Sequence, residues 1–397
     1  MILSKKAKEI SPSLTLAITA KAKAMKAEGI NVIGFGAGEP DFDTPENIQE
    51  AAIGAIRTGK TRYTAASGID ELKDAIANKF LKDNGLTYNK KQIIISTGAK
   101  QCLANAFQAI LNPEDEVLVP VPYWVSYPEL IKLSGGEPVF VNCKESNNFK
   151  YTREDLEAAV SEKTKAIILN SPNNPTGTVY SKEELIEISE FAKEHDLIII
   201  SDEMYEKLIY GSSKHISIAS LSEDAYNRSI VINGVSKSYA MTGWRIGYAA
   251  ASEEIIKLMS NIQSHTTSNP NSIAQYASVE ALNGDHSKVD SMIIEFKNRR
   301  NFMVERIEEI EGLTCINPEG AFYVMINVGS VIGKEYDGEK INSSLDFSSI
   351  LLEKERVAVV PGVAFGLENY IRLSYATSLE NIKEGLNRIE NFIKKIK

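Results

Sequence analysis

Short apolar runs rich in β-branched residues alternate with longer amphipathic segments between about Thr44 and Gly284. The clearest runs are QIIIS, EVLVP, KAIILN, LIIISD and SIVING. This alternation is typical of repeated strand and helix units around a mainly parallel sheet. Because the runs are apolar on both faces, we expect them in the middle of a covered sheet and not at a wet edge. The pattern therefore predicts an α/β domain with helices on both faces of its sheet.

Helical periodicity is strongest in three segments between these runs: ELKDAIANKFLKDN, AKQCLANAFQAIL and SKEELIEISEFAKEH. The third segment begins at Ser181, and Glu184 follows three residues later. This spacing predicts a capping box, in which each residue of the pair satisfies the backbone N–H of the other.

After Gly284 the pattern changes to a long charged helical stretch, KVDSMIIEFKNRRNFMVERIEEIEG, followed by strand-like GAFYVMINV, RVAVVPG and YIRLSYA. We expect a smaller α+β domain there, and we expect the opening helix, SPSLTLAITAKAKAMKAEG, to pack with it. We therefore predict a large domain at residues 44–284 and a small domain at residues 285–397. The N-terminal segment 1–43 is expected to be part of the small domain. The polar stretch at 329–344 is the best candidate for a mobile insertion.

Composition narrows the class of protein. The 397 residues carry a net charge of -9, which argues against a general nucleic-acid binder, because such proteins cluster cations against phosphates. Cys102, Cys143 and Cys315 lie far apart, as in a reduced intracellular protein. No stretch approaches the roughly 20 apolar residues of a membrane span, and the N-terminus does not resemble a signal peptide. We expect a cytoplasmic protein that binds neither nucleic acid nor membranes.

One motif in the sequence is misleading. Residues Gly54 to Thr61, GAIRTGKT, match the phosphate-binding pattern GxxxxGK[ST]. A working loop of that kind follows a strand and opens a helix, whereas here the helical segment AAIGAI precedes it. We therefore predict a helix end with Gly59 just beyond it.

Polar residues follow four of the predicted strands, and the carboxyl ends of such strands are where α/β proteins bind ligands. Ser96–Lys100 form a strand-to-helix turn suited to a phosphate. Asn174 lies on a proline-rich turn, Asp202 ends an apolar run with Tyr205 close behind, and Lys237 follows the last run. Taken singly, these are a capped turn, a turn amide, a helix cap and a solvated lysine. These structural explanations do not account for the presence of all four features at the ends of predicted strands.

The segment VINGVSKSYAMTGWRIGY adds the chemistry of a covalent cofactor. A lysine at the end of a buried strand can lose its proton and form a Schiff base, and Arg245 offers a planar set of donors to a phosphate. An amine for an aldehyde, a carboxylate for a ring nitrogen, an amide and a phenol for a ring oxygen, and a phosphate cradle are the parts that pyridoxal phosphate requires. No metal site is expected.

The motifs GEPDFDTP, NSPNNPTG, SDEMYE, SKSYAMTGWRIGY and IRLSYATS occur in that order. With them the chain resembles the class I, fold-type I pyridoxal-phosphate aminotransferases, most closely the prokaryotic aspartate aminotransferase subgroup. The resemblance implies that Lys237 bonds to the cofactor and moves protons, and that Asp202 holds the pyridine nitrogen protonated. It further implies that Asn174 and Tyr205 bind the ring hydroxyl and that Trp124 stacks on the ring.

The same resemblance assigns the phosphate to four residues: Gly98, Ala99, Ser236 and Arg245. Tyr63 matches the tyrosine that reaches the phosphate of the neighbouring subunit, which implies an obligate homodimer.

For the substrate, the resemblance implies that Arg372 grips the α-carboxylate, with the backbone of Gly38 against it. Lys100 matches a lysine that contacts the distal carboxylate of a dicarboxylic substrate, although a lysine there could equally face solvent or support the cofactor phosphate. Trp124 and Asn174 are expected to contact the substrate as well as the cofactor.

The function implied is ping-pong transfer of the amino group of L-aspartate to 2-oxoglutarate, giving oxaloacetate and L-glutamate. Aromatic and prephenate-type aminotransferases share nearly all of these motifs and stay open as alternatives. A pyridoxal-phosphate C–S β-lyase is a further rival on the same fold. A ligand-sensing regulator would need a DNA-binding appendage, and the N-terminus is too short to contain a winged helix.

Overall fold

The structure, a computed structural model, describes residues 3–12 and 14–397. The predicted opening helix includes Ser13, which lies outside the described residues, as do Met1 and Ile2. The helices are α1 Lys5–Glu9, α2 Leu14–Ala27, α3 Glu46–Arg57, α4 Asp70–Asn84, α5 Ala99–Ile110, α6 Ser126–Leu133, α7 Arg153–Ala159, α8 Lys182–Glu194, α9 Glu223–Arg228, α10 Glu253–Thr266, α11 Ser272–Asn283, α12 Ser287–Glu308, α13 Ser344–Glu355 and α14 Leu379–Lys395.

The strands are mostly short. They are β1 Ile33–Gly34, β2 Ile93–Ser96, β3 Glu116–Val121, β4 Glu137–Asn142, β5 Thr164–Asn170, β6 Ile198–Asp202, β7 Ser229–Gly234, β8 Gly247–Ala250, β9 Thr314–Cys315, β10 Tyr323–Asn327, β11 Glu335–Tyr336, β12 Glu339–Lys340, β13 Val357–Ala358, β14 Val360–Pro361 and β15 Tyr370–Ser374.

A seven-stranded sheet forms the centre of the protein, with the order β2-β8-β7-β6-β5-β3-β4. All of its strands run parallel except β8, which is antiparallel to both of its neighbours. Alternate residues of each strand point to opposite faces. One face packs on α5, α6 and α10, and the other packs on α3, α4, α8 and α11. The predicted α/β fold, with helices on both faces of a mainly parallel sheet, is confirmed.

The five strands predicted from apolar runs are present, but the expected position of one of them is wrong. Strand β2 lies at the edge of the sheet and pairs only with β8. Its residues are nevertheless buried, because α4, α5 and α10 pack around it. The backbone N–H of Ile95 donates to the carbonyl of Ser67 at 3.0 Å, so a loop covers the open edge. A fully apolar run thus indicates a covered strand and not a central one.

The predicted helix boundaries hold at two informative places. At the start of α8, Ser181 accepts a hydrogen bond from the N–H of Glu184 and the Glu184 side chain accepts one from the N–H of Ser181, which is the expected capping box. Helix α3 ends at Arg57, and Gly59 follows it with φ +76°. The GAIRTGKT segment is therefore a helix end, as predicted.

A second, antiparallel sheet has the order β14-β15-β10-β9 and packs against α12, α13 and α14 around a separate hydrophobic core. Strand β1 pairs in parallel with β13, and α2 packs beside β13 and β14. The N-terminal segment therefore contacts the C-terminal part of the chain. The domain limits at residues 43 and 284 stay a prediction.

The segment 329–344 folds as a small hairpin of β11 and β12. The backbone N–H of Glu335 donates to the carbonyl of Lys397 at 3.1 Å, and Tyr336 stacks on Phe392. The hairpin is thus held against the C-terminal helix. Across the described ranges, no helix has both the length and the apolar content needed to cross a membrane.

Candidate active site

A cavity of about 480 Å³ opens at the carboxyl ends of the central strands. It is bounded on the other side by β10 and β15 of the second sheet and by the N-terminal helix α2. Most of the predicted site residues line it: Gly38, Ala99, Lys100, Trp124, Asn174, Asp202, Tyr205, Ser236, Lys237, Arg245 and Arg372. Residues more than 300 positions apart in the sequence therefore meet in one site.

Lys237 extends into this cavity from the turn that follows β7. Its Nζ donates a hydrogen bond of 2.5 Å to the carbonyl of Gly38. Burial lowers the pKa of Lys237 to about 8, against the opposing charge of the Glu39 carboxylate and with help from Arg245. An amine with this pKa is partly unprotonated near neutral pH, which is the form that attacks a carbonyl carbon.

The turn that carries Lys237 is anchored from outside the cavity. Thr44 donates its hydroxyl to the carbonyl of Ala240 at 2.7 Å and accepts the indole N–H of Trp244 at 3.0 Å. The backbone N–H of Met241 closes the turn onto the carbonyl of Ser236 at 3.1 Å. These bonds leave the lysine side chain little freedom at its base.

Asp202 ends strand β6 and is almost fully buried. The hydroxyl of Tyr127 donates to its Oδ2 at 2.7 Å, and the backbone N–H of Met204 donates to its Oδ1 at 3.3 Å. Burial raises the pKa of Asp202 to about 6, and the hydrogen bond from Tyr127 limits that rise. The amide of Asn170 donates to the Asp202 carbonyl at 2.9 Å and fixes the strand end.

The turn between β2 and α5 has the form of an anion cradle. Gly98 has φ +82°, and a Cβ at this position would collide with the Arg245 guanidinium. Helix α5 begins next to it at Ala99, and no side chain of the described residues caps this helix N-terminus, which is the kind of end that binds anions. Arg245 has no carboxylate partner within 4.0 Å among the residues described. The cradle therefore combines a helix dipole with an unpaired cation.

Arg372 lies on β15 with only 3% of its surface exposed. Its guanidinium donates to Asn174 Oδ1 and to the carbonyl of Gly36, both at 3.1 Å, and lies 4.3 Å from the ring centre of Tyr323. Its Nε is buried without a partner, and no carboxylate pairs with it within residues 3–12 and 14–397. Burial lowers the pKa of Arg372. A buried guanidinium without a counter-ion is suited to an anionic ligand.

Lys100 and Tyr63 occupy less enclosed positions. The Lys100 ammonium lies 5.0 Å from the ring centre of Trp124, at the cavity wall, and burial together with Arg245 lowers the Lys100 pKa. Tyr63 is 91% exposed and does not line the cavity of its own chain. The structure therefore places Lys100 in the site and leaves Tyr63 outside it.

Three cavity residues escaped the sequence interpretation. Tyr323 shares a hydrogen bond of 3.0 Å with the hydroxyl of Tyr205. Glu39 accepts a hydrogen bond of 2.8 Å from the Thr242 hydroxyl, and Tyr127 binds Asp202. Glu39 lies within the GEPDFDTP motif, so the motif itself could have indicated it. Tyr127 and Tyr323 resemble ordinary core tyrosines in the sequence.

Behind Asp202, the opposite face of the sheet carries a second group of charges. Glu206 forms an ion pair with Lys79 of α4 and accepts the Asn84 amide at 3.1 Å. Glu203 accepts the hydroxyls of Ser201 and Ser217 at 2.9 and 2.7 Å. It also lies 2.9 Å from His215 Nε2. These carboxylates are buried and fully paired.

The sequence profile of the family described as aminotransferase class I and II matches residues 30–389. The chain belongs to this family. It is 51% identical over 399 residues to the aspartate aminotransferase of Bacillus subtilis (strain 168), with 100% of each chain covered. It is 48% identical to a probable aspartate/prephenate aminotransferase of Aquifex aeolicus (strain VF5), with 99% of each covered.

Solved structures of other aminotransferases have the same fold. The aspartate aminotransferase of Rhizobium meliloti superposes with a TM-score of 0.96 at 45% identity and 100% coverage of both chains. The enzyme from Thermus thermophilus, solved with maleate, superposes with a TM-score of 0.93 at 40% identity, covering 99% of this chain and 100% of that one.

Class I aminotransferases depend on pyridoxal phosphate, and the cavity residues of this aminotransferase fit that cofactor. Lys237 would offer an amine of lowered pKa to the aldehyde, and Asp202 would offer a buried carboxylate to the ring nitrogen. The cradle at Gly98, closed by the unpaired Arg245, suits the phosphate.

Proposed function

We propose that this aminotransferase transfers the amino group of L-aspartate to 2-oxoglutarate. The observation that carries the proposal is the buried Arg372, which has no counter-ion among the described residues and shares a cavity with Lys237. Amino acids and 2-oxo acids both bring the α-carboxylate that such a guanidinium binds in two parallel hydrogen bonds. The relatives named aspartate aminotransferase support this substrate.

When bound, pyridoxal phosphate supplies an electron-withdrawing ring that weakens the bonds at the amino-acid Cα. The protein supplies the rest. Arg372 and the backbone at Gly38 orient the α-carboxylate, and thereby decide which Cα bond is broken. Lys237 takes the Cα proton as a base and delivers a proton to Cα in the reverse half-reaction. Asp202 would stabilise positive charge on the ring nitrogen, Asn174 and Tyr205 would hold the ring hydroxyl, and Trp124 would pack against the ring.

The phosphate is assigned to the cradle of Gly98 and Ala99 together with Ser236 and Arg245. Closure of the second sheet over the cavity, as a small domain formed by residues 1–43 and 285–397, would exclude water during proton transfer. The cytoplasmic location expected from the sequence stays a prediction.

A preference for dicarboxylic substrates follows from Lys100, whose ammonium lies at the cavity wall beside Trp124. The structure of the Thermus thermophilus relative was solved with maleate, which is itself a dicarboxylate. Aromatic or prephenate-type specificity is the second candidate, because several relatives are named probable aspartate/prephenate aminotransferases. The C–S β-lyase is the third, since it would use the same cofactor residues.

We also propose a homodimer in which Tyr63 completes the neighbouring site. The support is its 91% exposure and its place outside its own cavity. Mixing the variants Tyr63→Ala and Lys237→Ala tests this proposal. Hybrid dimers would contain one site with both residues intact, so activity should return on mixing. If Tyr63 served its own site, every site in the mixture would stay defective.

The function is tested by following the visible spectrum of the cofactor-loaded protein. L-Aspartate should bleach the yellow band, and 2-oxoglutarate should restore it, because each half-reaction changes the cofactor. L-Phenylalanine and L-alanine serve as matched donors with one carboxylate. Bleaching by phenylalanine and not by aspartate would move the specificity to the aromatic group. Release of a thiol, pyruvate and ammonia from an S-alkyl-L-cysteine, without an oxo acid, would indicate the lyase.

A further inference from the structure

Tyr127 lies between two of the side chains assigned to the cofactor ring. It is in the first turn of α6 and is 1% exposed. Its hydroxyl donates to Asp202 Oδ2 at 2.7 Å, and its ring meets Trp124 edge to face with 5.3 Å between ring centres. One rigid side chain therefore contacts both the partner of the ring nitrogen and the aromatic cover of the ring.

The hydrogen bond from Tyr127 differs from that of Tyr151, another buried tyrosine. Tyr151 donates to the backbone carbonyl of Ile168 at 3.0 Å, which is a neutral acceptor. A hydrogen bond to a carboxylate is roughly twice as strong as a neutral one and favours the charged form of the acceptor. The hydroxyl of Tyr127 is thus aimed at a group whose charge has a chemical use.

The Tyr127 hydroxyl can donate this hydrogen bond over the whole working pH range. Burial and the adjacent Asp202 raise the pKa of Tyr127 well above its usual value, so the hydroxyl keeps its proton at any working pH. Asp202 is the group that can titrate, because burial raises its pKa to about 6. Four other titratable groups surround it, namely Glu203 and Tyr205 in its own segment, Cys102 of α5 and Lys237 of the turn after β7. Among the described residues, Tyr127 is the one of these five groups whose side chain donates a hydrogen bond to the Asp202 carboxylate.

We propose that Tyr127 is a positioning residue for transamination, which keeps the Asp202 carboxylate ionised and oriented toward the ring nitrogen of pyridoxal phosphate. This inference rests on the proposed role of Asp202. Without the hydroxyl, Asp202 would keep only the longer bond from the N–H of Met204, and it would take up a proton at higher pH. A protonated Asp202 stabilises a cationic ring nitrogen less well, so both cofactor binding and proton abstraction should weaken.

The test compares Tyr127→Phe with Tyr151→Phe, which also removes one buried hydroxyl. The dissociation constant of pyridoxal phosphate is measured on apoenzyme, alongside thermal unfolding, kcat and KM. For Y127F we expect a dissociation constant raised about 10-fold or more, as for a lost bond to a charged group. Its kcat should fall more than its KM changes, and the acidic limb of its kcat profile should move to higher pH. Y151F should change the dissociation constant by less than about 2-fold. It should move the acidic limb of the kcat profile by no more than a few tenths of a pH unit.

A double-mutant cycle with Asp202→Asn shows whether Tyr127 acts through Asp202. In the D202N background, Y127F should cause less than about a 2-fold further change, because the charge it supports is gone. Independent, multiplicative losses would overturn the proposal, and so would a Y127F enzyme that behaves like Y151F. If Y127F does not fold, 3-fluorotyrosine at position 127 provides the opposite test. Its stronger donor should move the acidic limb to lower pH, and an unmoved limb would contradict the inference.

Failure of this inference can be told apart from failure of the proposed function. An enzyme that binds pyridoxal phosphate but does not respond to aspartate and 2-oxoglutarate would sink the function. The role of Tyr127 would still be decided by the cofactor dissociation constants of four variants: Y127F, Y151F, D202N and the double variant Y127F/D202N.

Discussion

Charged residues on the two sides of the carboxyl end of β6 are in contrasting states. On the cavity side, Lys237, Arg245 and Arg372 have no carboxylate within 4.0 Å in the described part of the chain. On the opposite side, Glu203 and Glu206 are buried and paired with His215 and Lys79.

This contrast shows how two neighbouring groups of charges serve stability and function separately. The buried pairs behind β6 satisfy one another, so they fix the strand to α4 and to the chain around His215. The cavity cations keep their charge unpaired, at a cost in folding free energy that an anionic ligand can offset. Breaking a pair on the rear face should therefore reduce stability, whereas changing a cation on the cavity face should reduce catalysis.

The largest effect is expected on the cavity face, from Lys237→Ala. Loss of both the covalent attachment point and the proton carrier should reduce steady-state transamination by at least about 10⁴-fold. The midpoint of thermal unfolding of the apoenzyme should not fall, since a half-buried cation is removed. Steady-state assays and calorimetry check both parts. Retained turnover would show that another residue moves the proton.

On the rear face, Glu206→Gln should destabilise the protein by about 3–5 kcal/mol, because it leaves the Lys79 ammonium buried without a counter-charge. Denaturant unfolding of the apoenzyme measures this loss. The double variant K79M/E206L is the matched control and should be less destabilised, since it removes both charges. At temperatures where E206Q stays folded, its kcat should remain within about 3-fold of the parent. A large loss of kcat in E206Q with an unchanged free energy of unfolding would show that the Glu206–Lys79 pair serves catalysis and not stability.

The rear face should also govern acid stability. Burial opposes ionisation of Glu206, but Lys79 and His215 overcome that and lower its pKa to about 2. A carboxyl whose pKa is lower in the folded protein stabilises it above the unfolded pKa, near 4.5, and loses that contribution as pH falls toward 2. The free energy of unfolding should therefore fall more steeply between pH 4.5 and 2 in the parent than in E206Q. Parallel curves would contradict the pairing.

Arg372→Lys keeps the charge but loses the planar pair of donors. We expect kcat/KM for L-aspartate to fall about 100-fold, because a single point of contact orients the α-carboxylate less well. The loss should be similar for L-alanine, which has the same α-carboxylate. Kinetics with both donors check this, and a loss confined to aspartate would instead place Arg372 at the distal carboxylate.

Lys100→Ala should give the smallest effect. Because Lys100 is partly exposed, removal of its charge should reduce kcat/KM for aspartate by about 10-fold and leave alanine nearly unchanged. Equal losses for both donors, together with a weaker hold on pyridoxal phosphate, would assign Lys100 to the phosphate.

The fold was predictable where apolar pattern and burial agree. The strands β3, β5, β6 and β7 are central, and their runs are apolar on both faces. Two strands of the large sheet were missed. Strand β4 is a half-exposed edge strand of mixed polarity, and β8, GYAA, is short with three small residues out of four. At Gly247 a Cβ would collide with the backbone of Ala99, so β8 is kept small by the turn it packs against.

The site was predictable where function depends on the place of a residue along a strand. Asp202 and Lys237 follow apolar runs, and the α/β pattern brings such strand ends together. Tyr127 and Tyr323 could not be found in this way. Each lies in a segment whose pattern is explained by packing alone, and the role of each hydroxyl depends on a partner at least 75 residues away in sequence.

The loop whose Ser67 carbonyl accepts the N–H of Ile95 covers the open edge of the large sheet within a single chain. The same loop contains Tyr63, the residue proposed to reach the other subunit. Opening of this loop would uncover the apolar strand IIIS, which is a template for pairing with another chain. Conditions that open the loop should therefore promote irreversible aggregation.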